Sequence, residues 1–246
     1  MASTKRKCQE EIIQTLRKNS RNGTGPPCRF DDAEIISLLE MFSEICGSKG
    51  TPEKMDRNKF RDELQTCFKI TDDFLMDRVF RAFDRDNDSA LKQEEWVLGL
   101  HVFLRGDLED KIKYCFLVYD LNADGYISRE EMFHLLKNCL YKQSSEEDPD
   151  EGVKDLVETV LKKLDQDHDG RVNLTDFQKA VTETPLLLEA LGTCLPSPAA
   201  CNEFLALMHG NLGQRSGMGR HQKQDEENKM IKHRNREQKG KTQRKC

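Results

Sequence analysis

Three twelve-residue segments begin Asp-x-(Asp/Asn)-x-Asp, at Asp84, Asp120 and Asp165. Oxygen-bearing side chains at alternate positions of a tight turn suit a hard divalent cation. Calcium takes about six to eight oxygens, and a helix–loop–helix hand supplies them from loop positions 1, 3, 5, 7, 9 and 12. Position 6 wants glycine for the sharp turn, and an apolar position 8 makes a short β-contact with a paired loop. The segment from Asp120 meets each requirement. Asp120, Asn122 and Asp124 fill positions 1, 3 and 5, Gly125 is at 6, Tyr126 offers its carbonyl at 7, Ile127 is at 8 and Ser128 at 9. Glu131 at position 12 is long enough to give both carboxylate oxygens.

The segment from Asp165 places Asp165, Asp167, Asp169, Gly170, Arg171, Val172 and Asn173 in the same roles, but Asp176 stands at position 12. An arm one methylene shorter brings both oxygens to the ion less easily. Coordination falls toward six, which suits magnesium better than calcium, so Ca2+ with Mg2+ as a competitor is expected here. The segment from Asp84 offers Asp86, Asp88, the Ala90 carbonyl and Glu95, with Leu91 at position 8. Ser89 replaces the glycine, at a left-handed cost of roughly 1 kcal/mol, and Lys92 at position 9 puts a positive charge beside the ion. Weakened calcium binding is the expectation.

These loops need helices on both sides, and helical periodicity dominates the chain. Ile12, Ile13 and Leu16 mark a short N-terminal helix, broken by Asn22-Gly-Thr-Gly-Pro-Pro. A second helix runs from Asp31 to about Cys46, and further patterns cover 58–68, 72–83, 94–104, 108–119, 129–142, 151–164, 174–182 and 186–191. Strand signals are nearly absent. The incoming helices should bury Met76, Val79, Phe80 and Phe83, then Ile112, Cys115, Phe116 and Tyr119, then Val157, Val160, Leu161 and Leu164. The outgoing helices start at Trp96, Met132 and Phe177 and continue with Leu100 and Phe103, Leu135 and Leu136, and Ala180 and Val181. Acidic surface turns are common singly; three in frame with matching apolar helices are not.

One hand cannot cover its own apolar face, so hands pair. A degenerate fourth hand fits upstream, with Leu38, Met41, Phe42 and Ile45 before the loop and Phe60, Leu64 and Cys67 after it. Its loop, Cys46 to Lys59, is two residues longer than the others. Lys59 stands where the glutamate belongs and Pro52 interrupts the turn, so this loop should serve structure only. The expected fold is all-α: four paired hands in two lobes, the first degenerate, with extra C-terminal helices and a disordered basic tail. The corresponding division is 1–29 (basic helix and linker), 30–105 (N-lobe), 106–184 (C-lobe), 185–208 (C-terminal helices) and 209–246 (tail).

Composition agrees. The chain is 36% hydrophobic, 7% aromatic and 34% charged, with net charge −5. The ends are basic and the middle acidic: residues 1–29 hold 7 Lys or Arg against 2 Asp or Glu, residues 209–246 hold 11 against 4, and residues 30–208 hold 21 against 38. An acidic body suits cations and basic ends suit anionic partners. The tail either aids solubility or touches an acidic polymer. Microtubules and nucleic acids are both acidic, and charge alone does not choose between them. Gln143-Ser-Ser-Glu-Glu-Asp-Pro-Asp-Glu reads as an acidic linker. Leu186, Leu187, Leu188 and Leu191 either fold back into the body's own groove or mediate assembly. Nine cysteines without a C-x-x-C spacing argue against a disulfide framework or a zinc site, and for a reducing, intracellular compartment. Several, such as Cys115 and Cys139, read as small buried hydrophobes. His101 and His134 show no metal spacing. No membrane span, secretory leader, N-myristoylation or prenylation is expected, and no catalytic motif occurs. The few body methionines, Met41, Met55, Met76 and Met132, do not make the adaptable surface of a promiscuous calcium sensor.

Several stretches together resemble the calaxin family of EF-hand proteins. They are Met76-Asp-Arg-Val-Phe-Arg-Ala-Phe-Asp-Arg-Asp-Asn-Asp, Phe103-Leu-Arg-Gly-Asp-Leu-Glu, Lys113-Tyr-Cys-Phe, Glu131-Met-Phe-His-Leu-Leu-Lys-Asn and Ser145-Glu-Glu-Asp-Pro-Asp-Glu-Gly. The likeness covers roughly residues 5–205, and Asp176 fits it. Ser89 and the basic residues after about 208 depart from it, pointing to a paralogue or variant form. The resemblance implies a non-enzymatic calcium sensor of motile cilia and flagella, in the cytoplasm and on the axonemal cytoskeleton. Its implied partners are the dynein heavy chain, the outer-arm docking complex and the microtubule surface, with neither membrane nor nucleic acid among them. The alternatives are a calcineurin-B-like regulatory subunit and a cytosolic calcium buffer.

Overall fold

The computed structural model describes residues 2–22, 28–47, 54–139 and 149–210; the side chains of residues 2–5, 138, 139 and 149 are not among those described. Pro52, most of the acidic linker, the Cys139 side chain and nearly all of the basic tail therefore lie outside the described residues. Residues 1–205 form one unit. Of the second unit, residues 206–210 are described and are helical.

The chain is all-α, as its periodicity predicts. Helix α1 (Ala2–Asn22) is followed by α2 (Asp32–Cys46), α3 (Arg57–Phe68), α4 (Asp73–Phe83), α5 (Gln93–Arg105), α6 (Leu108–Tyr119), α7 (Arg129–Cys139), α8 (Pro149–Leu164) and α9 (Leu174–Glu183). A last helix, α10, covers 198–210. Two-residue strands β1 (Tyr126–Ile127) and β2 (Val172–Asn173) complete the regular structure. No helix among the described residues is long and apolar enough to cross a membrane.

Acidic and amide caps start these helices by accepting the otherwise unpaired first-turn N–H groups. Asp31 and Glu34 form a reciprocal capping box on α2, Asp107 and Asp110 one on α6, and Asn173 and Asp176 one on α9. Asp56 and Asp72 cap α3 and α4. Gly47, at φ 69°, closes α2 by donating its N–H to Ser43 and Glu44 carbonyls, a left-handed cap that glycine adopts without strain.

The hands pair through position 8. Ile127 lies opposite Val172 in the antiparallel β1–β2 ladder, and Leu91 forms an isolated antiparallel bridge with Met55 from the degenerate loop. Helices α2–α5 thus make one pair of hands and α6–α9 the other. The predicted core residues of the helices that flank the three acidic loops are buried, apart from Val160, which is half-buried; after the degenerate loop Phe60 and Leu64 are buried, whereas Cys67, expected beside them, is only half-buried. Phe60 is the hub of the first pair, with ring centroids 4.9 Å from Phe83, 5.6 Å from Phe80 and 6.3 Å from Trp96.

Three local expectations need correction. Helix α2 buries Ile35, Leu38, Leu39 and Phe42, while Met41 and Ile45 are only half-buried. The long loop frees the helix end from the fixed register of a standard hand, so the contact stripe sits further toward the N-terminus. The N-terminal helix is not short: it has 21 residues, and Arg17 anchors it by donating to Phe30 O at 2.7 Å and Cys28 O at 3.1 Å. The segment Pro185–Glu189 is a 3₁₀ turn rather than an α-helix. Of the leucine alternatives, folding back describes this chain: Leu191 is buried and Leu187 and Leu188 half-buried, while Leu186 stays exposed. The Tyr119 hydroxyl fixes this segment by donating to Gly192 O at 2.6 Å and Leu188 O at 3.3 Å.

Candidate metal centre

Each loop is built by its own side chains turning inward on backbone N–H groups. In loop 120–131, Asp120 Oδ2 accepts from Gly125 N at 2.9 Å and Oδ1 from Asp124 N at 3.2 Å. Glu131 reaches back across the loop: Oε1 accepts from Leu121 N at 2.9 Å and Asn122 N at 3.1 Å, and Oε2 from the backbone N and hydroxyl of Ser128, both at 2.8 Å. Loop 84–95 repeats this frame. Asp84 Oδ2 accepts from Ser89 N at 2.9 Å, and Glu95 takes the N–H groups of Arg85, Asp86 and Lys92.

Asp176 breaks the pattern in loop 165–176. Its carboxylate accepts from Asn173 N at 3.3 Å, and among the described residues it takes no N–H from Gln166 or Asp167. The missing methylene is thus visible as a missing cross-loop brace. Asp165 compensates within its own turn, accepting from Gly170 N at 2.9 Å and His168 N at 2.8 Å.

Positions 1 and 12 form the buried floor of each loop: Asp84 and Glu95, Asp120 and Glu131, Asp165 and Asp176. Positions 3 and 5 (Asp86, Asp88, Asn122, Asp124, Asp167 and Asp169) form an exposed rim. Ala90, Tyr126 and Arg171 stand at position 7, each donating its backbone N–H to the position-5 carboxylate. Carboxylate oxygens of Asp84, Asp86 and Asp88 lie within 4.8 Å of one another, as do those of Asp165, Asp167 and Asp169. Like charges this close repel unless a cation sits among them, so these acidic loops could hold a metal ion. The all-oxygen donor set fits calcium. Across the paired loops, the Arg171 guanidinium covers the Tyr126 ring at 4.4 Å.

Ser89 adopts φ 65°, beside 87° at Gly125 and 85° at Gly170, so the strain expected at position 6 is present. Position 4 is left-handed too, at Asn87, Ala123 and His168. Sequence reading missed this, although asparagine at one of the three is a residue type that favours that conformation.

Lysines complete the first pair. Lys92 Nζ lies against Asp86 Oδ2 and 3.0 Å from Asp88 Oδ2, where Lys54 Nζ also binds at 2.8 Å. Lys59 donates to the Cys46 carbonyl at 3.0 Å. The degenerate hand therefore spans its loop with an ammonium, while its neighbour Lys54 engages the adjoining acidic loop. Lys54 carried no sequence signal, because its target lies in another hand.

The two singled-out histidines play no part in the loops. His101 is buried beside Phe30, and His134 is exposed and stacked on Phe74. Burial pushes the thiols of Cys28, Cys67, Cys115 and Cys201 above their ordinary value, Cys67 to about 11, which opposes thiolate reactivity. A groove of about 520 Å³ between α7 and α8 is lined by Phe133, His134 and Val157 among charged side chains.

The family pattern of an EF-hand domain pair matches residues 109–182, the stretch that carries loops 120–131 and 165–176. The chain is 62% identical over 178 residues to calaxin of Xenopus laevis, covering 71% of this chain and 86% of that protein. With calaxin of Homo sapiens the identity is 52% over 204 residues, or 82% of this chain and 93% of the relative. The chain belongs to the calaxin family. It is a calcium-binding EF-hand protein. The chain is also 34% identical to the calcium-binding protein NCSA of Dictyostelium discoideum over 130 residues, which are 53% of this chain and 67% of that one.

Proposed function

We propose that this chain is a non-enzymatic, calcium-responsive adaptor of motile cilia and flagella, associated with the outer dynein arm and its docking complex. The observation that carries the calcium half is the Glu131 brace. One buried carboxylate holds the N–H groups at both ends of loop 120–131, so a change in its partners moves α6 and α7 together. The bound ion supplies concentrated positive charge at the loop. Asp120, Asn122, Asp124, the Tyr126 carbonyl and Glu131 hold it there. Asp165, Asp167, Asp169, the Arg171 carbonyl and Asp176 form a second site open to Mg2+ competition, and Asp84, Asp86, Asp88, the Ala90 carbonyl and Glu95 form a weaker third. Membership of the calaxin family supports the axonemal half, with the dynein heavy chain and docking complex as partners and the basic tail suited to the acidic microtubule surface.

Calorimetric calcium titration with and without magnesium tests the first half. Loop 120–131 should bind in the sensor range of about 10⁻⁷–10⁻⁵ M. Binding to purified outer-arm dynein with its docking complex, compared in calcium and in chelator, tests the second. A dye for exposed apolar surface that ignores calcium would support a buffer instead. Capture of a phosphatase catalytic chain without dynein would support a calcineurin-B-like subunit.

A further inference from the structure

Arg78 lies on α4, in the first pair of hands, and is half-buried. Its hydrogen bonds all leave that pair. Nε donates to Val118 O at 3.0 Å, Nη1 to Leu121 O at 3.1 Å, and Nη2 to Asp120 O at 2.5 Å and Leu117 O at 3.4 Å. Leu117 and Val118 belong to the last turn of α6, whose carbonyls have no partner within the helix. A cation there also complements the helix dipole. Asp120 and Leu121 are positions 1 and 2 of the loop with the complete donor set.

The peptide unit between Asp120 and Leu121 is therefore held from two sides. Its carbonyl accepts from Arg78, and its N–H donates to Glu131 Oε1 at 2.9 Å. A peptide group is planar and moves as one body. Any change in how Glu131 is engaged reaches the Arg78 guanidinium through that single plane. Burial and the neighbouring Arg81 disfavour the Arg78 charge, and the carboxylates of Asp120 and Glu131 offset this only in part.

From Arg78 the path into the first pair is packed rings. Within two helical turns along α4 are Phe80 and Phe83, both against Phe60, and Phe60 meets Trp96. Trp96 is the chain's one tryptophan, so the first pair carries its own optical reporter.

We infer that Arg78 couples the two pairs of hands: it transmits the state of loop 120–131 to α4, and in return restrains calcium binding there. Loading the loop commits the charge of Asp120 and Glu131 to the ion and takes it from Arg78. By reciprocity, a guanidinium that prefers the unloaded loop must lower the loop's calcium affinity. The inference rests on calcium binding at loop 120–131 and is independent of any axonemal partner.

The test uses the full chain carrying Glu95→Gln and Asp176→Asn, which leaves loop 120–131 as the intact site. Calcium binding is followed by calorimetry and Trp96 emission on the same sample. In this parent, emission should change in step with occupancy. Adding Arg78→Met should tighten binding several-fold and remove most of the emission change. Arg78→Lys keeps the charge but cannot span four carbonyls, and should give a reduced emission change with affinity near the parent's. If Arg78→Met does not fold, judged by circular dichroism, the Arg78→Lys comparison decides by the same criterion. The inference is overturned if the parent binds calcium without a Trp96 response, or if the folded Arg78 variants keep the parent's response and affinity. A parent that binds no calcium overturns both the inference and the calcium-sensor reading, so the two failures are distinct.

Discussion

Lys54 Nζ lies 2.8 Å from Asp88 Oδ2, tying a loop with no ligand set to the rim of one that has it. Lys92 Nζ reaches the same oxygen at 3.0 Å, and Asp86 as well. Both ammonium groups must give way when loop 84–95 is loaded. The pairs are partly exposed, so each has a modest effect. Lys92→Met should tighten calcium binding at this loop a few-fold, Lys54→Met by less, and the double substitution by most. Calorimetry on a chain with Glu131→Gln and Asp176→Asn checks this; equal affinity in all four proteins would show that the lysines do not compete with the ion.

Ser89 carries its left-handed conformation without glycine's freedom. Ser89→Gly removes a penalty of about 1–2 kcal/mol and adds about 0.5–1 kcal/mol of unfolded-state entropy. The expected outcome is a gain of about 0.5–1 kcal/mol in urea-unfolding stability without calcium. A loss of stability would place the Ser89 side chain in a contact stronger than the strain.

Asp176 leaves its loop without the cross-loop brace that Glu95 and Glu131 provide. Asp176→Glu should restore both the brace and the second carboxylate oxygen. Calcium affinity at loop 165–176 should rise several-fold more than magnesium affinity. Paired titrations in either metal measure the ratio, and an unchanged ratio would mean that the arm length does not set selectivity.

His101 is fully buried, and neither ring nitrogen has a hydrogen-bond partner among the described residues. Burial pushes its pKa below the ordinary value of 6.5, with Arg29 acting in the same direction and Asp110 and Asp107 opposing. The unfolded chain therefore binds this proton more readily than the folded one. The stability contribution is fully present above the unfolded value and is lost as pH falls through the folded one. Between about pH 7.5 and 5.5 the chain should lose up to about 1 kcal/mol more stability than His101→Phe. Urea unfolding at both pH values reads the difference, and parallel losses would remove His101 as the cause.

Much of this was legible in the sequence because it is local. A twelve-residue loop carries its ligand positions in fixed order, so Asp120 to Glu131 could be read without coordinates. The apolar spacing of α4, α6 and α8 named most of their buried residues, but not Leu75, Ala82, Tyr114, Val118 or Val153. Even the short arm of Asp176 was visible as a residue type, since one methylene is a property of the side chain alone. Reading failed at α2, where a longer loop uncouples helix register from loop position, and at Pro185–Glu189, where a leucine run does not distinguish 3₁₀ from α.

The sequence by itself determined the hands, their candidate ligand positions and the absence of a glutamate at Lys59. Tertiary structure decided which hands meet and what else reaches the loops. Lys54 finds Asp88 across 34 positions and Arg78 finds Asp120 across 42. Long cationic side chains have no periodicity to announce their targets, and their partners, a carboxylate and a row of backbone carbonyls, come within reach only after the apolar helix faces pack.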